Sequence, residues 1–142
     1  MREYISSRIY INRSIAGFFL AVVLSTSASE GVDFNRDIRP ILSENCFKCH
    51  GPDENKRKGG SRKTGRLRLD TEAGSRKDLD GYAALLPGHP DESELIYLVT
   101  AEDEEDRMPP QEKGRRLNES EIALLKQWIE EGGDYVRHWS YE

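Results

Sequence analysis

Cys46 and Cys49 stand three positions apart, and His50 follows at once in Cys46-Phe47-Lys48-Cys49-His50. This is the C-x-x-C-H spacing of covalent c-type haem attachment. Two thiols so placed can form thioethers to the two vinyl groups of one haem edge. The next residue then carries an imidazole to the iron. A sixth ligand is sought elsewhere. The chain has two methionines, and one is the initiator. Met108 is therefore the thioether available, in the stretch Arg107-Met108-Pro109-Pro110, where the prolines are expected to hold the following backbone extended. His89 and His138 compete with it, and an open position is the remaining alternative. Met/His ligation raises the potential and closes the iron, whereas an open site admits ligands.

Other chemistries use the same residue types. Structural zinc takes four ligands, and beyond the two cysteines only His50, His89 and His138 remain, without a second compact pair. A thioredoxin-like pair sits in a βαβ setting, and no strand pattern flanks this one. A disulfide is the third alternative, and haem attachment would consume its thiols.

Elements must position these groups. Asp37 is a candidate N-cap and Pro40 falls in the first turn of a short helix carrying Ile38, Ile41 and Leu42 on one face. That helix runs into Cys46, and Gly51-Pro52 stops it. Residues 51–66 are read as loop with a basic run, and Thr71 to Arg76 as a turn. A second helix opens at His89-Pro90, with His89 at its N-cap and Leu95, Ile96, Leu98 and Val99 as its buried stripe. An acidic run, Glu102 to Asp106, precedes Met108. The last helix is the best marked: Asn118 pairs with Glu121 as a capping box and Leu117 with Ile122 as a hydrophobic staple. Ile122, Leu125, Trp128 and Ile129 follow at helical spacing, and Gly132 or Gly133 ends it. The fold class expected is all-α: about three main helices with long loops around one haem. Leu67, Leu69, Leu95, Ile96 and Trp128 are the haem-pocket candidates. With so small a core, the domain without haem is expected to be largely unfolded.

The chain has 142 residues, room for one domain plus extensions. Arg2, Arg8 and Arg13 precede the apolar run Ile15 to Leu24, and small residues Ser25 to Ser29 follow, the layout of a cleaved export signal at 1–29. Ten apolar residues make about 15 Å of helix against about 30 Å of bilayer core, so membrane attachment is expected only if this segment is retained. Taking its three Arg and one Glu from totals of 21 and 26 leaves 18 basic and 25 acidic residues, a formal charge of −7. A domain so acidic argues against nucleic acid as main partner. The basic run at 56–68 and the acidic run at 102–106 are read as solvated loops ahead of docking patches.

The chain resembles the Planctomycete cytochrome C domain of the class I cytochrome c-like superfamily. The resemblance rests on Phe34-Asn35-Arg36-Asp37-Ile38-Arg39-Pro40-Ile41-Leu42, Cys46-Phe47-Lys48-Cys49-His50-Gly51-Pro52, Leu67-Arg68-Leu69-Asp70, Pro87-Gly88-His89-Pro90 with Ser93-Glu94-Leu95, Arg107-Met108-Pro109-Pro110, and Trp128-Ile129-Glu130-Glu131-Gly132-Gly133. It implies one haem c on Cys46 and Cys49, with His50 proximal and Met108 distal. The loop 55–66 is longer and more basic than the family pattern, and His89 stands where that turn usually carries Asp. The resemblance further implies a haem domain at 30–134, heading a larger chain whose next region begins within 135–142. The expected activity is single-electron transfer in an exported or periplasmic setting, without bond-making catalysis. Its partners would be a redox donor and acceptor or a C-terminal domain. The alternative expectations are a haem module serving a catalytic or sensory domain and, more remotely, a zinc or interaction domain.

Overall fold

In the computed structural model, which describes residues 31–61 and 63–135, the first helical segment begins a turn earlier than Asp37 predicts. Asp33 is the cap: its carboxylate accepts the Arg36 N–H at 2.7 Å, while its own N–H donates to the Asp37 carboxylate at 2.9 Å. Two aspartates four apart each read as a cap in sequence. The earlier one meets the orphan N–H group and the later one closes the box behind it. A π-helical turn, Phe34–Ile38, then feeds α1 (Arg39–Asn45), with Pro40 in its first turn where its missing N–H costs nothing. After a turn at Cys46, the single helical turn α2 (Phe47–His50) completes the motif.

Gly51 ends α2 in an extended conformation, and a Cβ there would lie 2.3 Å from the Phe47 carbonyl oxygen. No side chain fits at that position. The segment expected as loop contains a 3₁₀ turn at Glu54–Lys56 and a two-rung antiparallel hairpin. Its strands are β1 (Gly60–Ser61) and β2 (Gly65–Arg66), with Gly60 opposite Arg66. The turn expected at Thr71 is α3 (Glu72–Ser75), capped by the Thr71 hydroxyl.

The second helix is divided. His89 precedes a 3₁₀ turn, Pro90–Glu92, and its side chain makes no capping bond. The helix proper, α4 (Glu94–Thr100), follows Ser93. Ser93 is buried because its hydroxyl accepts the Leu86 N–H and donates to the His89 carbonyl, both at 2.9 Å. The last helix, α5 (Glu119–Glu130), has both halves of its capping box closed at 2.9 Å.

One core joins these pieces. The π turn packs on α1 and α5, and α4 packs on α5, around the fully buried Ile38, Leu42, Leu85, Leu125 and Ile129. The described residues are helix-rich, with one two-stranded hairpin, and are compatible with the all-α class expected. Tyr135, next after Asp134, packs on this unit. Tyr135 stacks 4.5 Å from Phe34 and 5.2 Å from Trp128, and its hydroxyl donates to the Leu69 carbonyl at 3.1 Å. The expected export segment at 1–29, the tail from Val136 and the alternative ligand His138 lie outside the described residues.

Candidate haem-attachment site

A helical turn brings positions i, i+3 and i+4 to one face. Cys46, Cys49 and His50 have that spacing, and the turn is closed by N–H groups of Cys49 and His50 donating to the Cys46 carbonyl at 3.0 and 2.8 Å. All three side chains line one cavity of about 470 Å³, within the roughly 300–1,000 Å³ usual for ligand and cofactor sites. Met108 enters the same wall from a separate element, the loop that follows the acidic run. Its backbone N–H donates to the Leu98 carbonyl at 2.9 Å, which ties that loop to the C-terminal end of α4.

The remainder of the wall is largely apolar. Of the pocket candidates, Leu67, Leu69 and Leu95 line it, whereas Ile96 and Trp128 do not. Ile96 is turned into the core, and Trp128 is buried against Phe34 and Tyr135, its indole N–H donating to the Asp134 carbonyl at 3.0 Å. The places expected of them are taken by Leu98 and Val99 of α4, by Tyr82 and Ala84, and by Pro109. Leu98 and Val99 were legible as apolar stripe, though not as cavity wall. Tyr82 and Ala84 fall in an apolar stretch, Tyr82 to Leu86, but nothing local places it on the cavity wall.

His89 lies outside the cavity wall. Its side chain is 63 % exposed, with Nδ1 3.3 Å from the Glu92 carboxylate. The two prolines after Met108 do not extend the chain as expected. The Met108–Pro109 peptide is cis, and Pro110 heads a turn in which its carbonyl accepts from Lys113 and Gly114.

Burial sets the electrostatics. It pushes the Cys46 thiol up to about 12, assisted by the neighbouring Cys49, so that sulfur stays neutral in the folded chain. It lowers the pKa of His50, with the Lys58 backbone opposing the shift, and so favours the neutral imidazole that ligates metals. His50 Nδ1 is buried and meets no partner of ordinary hydrogen-bond geometry. Two thiols, an imidazole and a thioether on one largely apolar wall are the donor set of a haem c with Met/His ligation, and the residues present fit that group. Zinc finds no comparable cluster. Among the described residues, no group of three or more His, Cys, Asp or Glu is gathered to hold a metal ion.

Much of the basic run is engaged locally. Lys56 pairs with Asp53 at 3.1 Å, Lys63 with Asp80 at 3.4 Å, and Arg68 with Asp70 at 2.6 Å. In the acidic run Glu104 pairs with Arg107. Among the described residues no ion pair joins one run to the other.

Comparison with known proteins agrees with this geometry. No curated protein and no solved structure gave a significant match. The family model described as Planctomycete cytochrome C matches residues 46–112, from the first cysteine through the Met108 loop, leaving the similar phrases at 34–42 and 128–133 outside the matched span. Such a domain points to haem binding and electron transfer rather than to a bond-making enzyme. Residues 46–112, just under half of the chain, are thus similar to the Planctomycete cytochrome C family.

Proposed function

We propose that this chain is an exported monohaem c-type cytochrome, with Cys46 and Cys49 tethering the haem, His50 as proximal ligand and Met108 as distal ligand. The observation that carries the reading is the convergence of these four side chains, from two separate elements, on one apolar cavity. When bound, the haem supplies a one-electron iron couple whose potential Met/His ligation raises. The protein's part is positional. Burial favours the neutral form of His50, the Leu98 carbonyl pins the Met108 backbone, and the leucines of the wall exclude water. Such a site passes single electrons to a redox protein or to a C-terminal domain of the full-length chain.

The test uses full-length protein matured in a host with haem-attachment machinery. A pyridine haemochrome spectrum of the thioether-linked type, at one haem per chain, is expected, and its absence would overturn the reading. In Met108→Ala the near-infrared sulfur–iron band is lost and carbon monoxide binds the reduced form. Persistence of that band would remove Met108 as ligand.

A further inference from the structure

We infer that Arg57 is a positioning residue for His50, holding the imidazole in place through the loop that wraps it. The inference rests on the haem reading above and adds a residue to it. His50 follows two attachment points and precedes Gly51, so the motif alone does not fix its ring. The fixing groups come from the next loop. The half-buried Arg57 side chain folds back, its Nε donating to the Gly51 carbonyl at 2.8 Å and its Nη2 to the Pro52 carbonyl at 2.6 Å. A planar guanidinium grips two successive carbonyls in a way that a flexible ammonium does not.

That grip closes residues 51–57 into a turn and delivers the next two residues to the motif. The Lys58 N–H donates to the Cys49 carbonyl at 2.8 Å. Gly59, at φ +71°, passes close to the imidazole: a Cβ on it would stand 3.6 Å from His50 Cε1 and 3.4 Å from Leu67 Cβ. The chain then returns, and the Leu69 N–H donates to the His50 carbonyl at 2.7 Å. His50 Nδ1 has no well-formed hydrogen bond of its own. The ring's orientation is therefore set by this collar of backbone, and Arg57 is the side chain that closes the collar.

The experiment compares haem-loaded wild type with Arg57→Ala, Arg57→Lys and, as a charge control, Lys56→Ala, whose lysine pairs with Asp53 on the surface. The readouts are the hyperfine-shifted His50 ring resonances of the oxidised protein and the reduction potential. The expected result is full haem attachment in all variants, with His50 resonances and potential shifted in Arg57→Ala and in Arg57→Lys but not in Lys56→Ala. Unchanged His50 resonances in both Arg57 variants, with stability alone reduced, would overturn the inference. So would a shift common to Arg57→Ala and Lys56→Ala that Arg57→Lys restores, because charge alone would then account for it. If Arg57→Ala fails to accumulate, Arg57→Lys decides by the same resonances. Absence of haem from the wild type would instead refute the functional reading on which this one stands.

Discussion

The two ends of this domain are built differently. At one end, the π turn, α1, α5 and Tyr135 close on themselves. Phe34, Trp128 and Tyr135 form a ring-to-ring cluster, and Leu125 and Ile129 are fully buried. At the other end, loops, single turns and one side of α4 surround a cavity of about 470 Å³ whose wall includes Leu67, Leu69, Leu95 and Leu98. Protein interiors are close-packed, and a void deprives its lining of dispersion contacts. The first end is a finished core. The second is a wall built around a cavity.

The largest test of this contrast removes the tether. In the double variant Cys46→Ser/Cys49→Ser, which cannot attach haem, we expect most of the far-UV helical signal to be lost. Residual amide protection should be confined to α1 and α5. Equal helix content with and without haem would show that the cavity end needs nothing from its cofactor.

Next comes the finished core. Trp128→Ala in the haem-loaded protein should cost about 3–5 kcal/mol, because a buried aromatic leaves a cavity its neighbours cannot fill. Denaturant midpoints would measure it, and a loss under about 1 kcal/mol would mean that the aromatic cluster is loosely packed.

A smaller effect lies at the head of α5. Asn118→Ala should cost about 0.5–2 kcal/mol. The cap is also pH-sensitive. The Arg115 guanidinium holds the Glu121 carboxyl below the usual carboxylate range, outweighing the burial that would raise it. A depressed folded pKa stabilises above the unfolded value, and that stabilisation is lost as pH falls through the folded one. Acid should therefore destabilise wild type more steeply than Glu121→Gln in this range, and parallel profiles would exclude Glu121. The smallest effect expected is that of Tyr135→Phe, about 0.5–1.5 kcal/mol, which removes the hydroxyl bond to Leu69 and leaves the ring stack.

What the sequence disclosed follows from how local each signal is. The spacing of Cys46, Cys49 and His50 is covalent and local, so it can be read directly. The same holds for the Asn118–Glu121 box, whose two partners sit on one turn. Periodicity identified Leu95, Ile96, Leu98 and Val99 as buried, but burial has two destinations here. Ile96 faces protein, while Leu98 and Val99 face the cavity. Which side faces which depends on contacts distant in sequence. Tyr135 was illegible for the same reason. It lies beyond Gly132 and Gly133, where a helix stops, and its partners Phe34 and Leu69 are far away in the chain. The Asp33 cap was missed because Asp37 carries the same chemistry a turn later.

One contact has a mechanical side. The Val32 N–H donates to the Glu131 carboxylate at 2.8 Å, and Arg76 binds the carbonyls of Gly132 and Gly133 at 2.9 and 3.2 Å. The first and last described stretches of chain are thus fastened side by side on the finished core. Tension applied through both passes across these fastenings and the aromatic cluster, along a short load path. The Met108 loop and the Cys46–His50 turn stand off that path. A modest pull on the two ends is expected to be borne by these fastenings before it reaches the spacing between His50 and Met108.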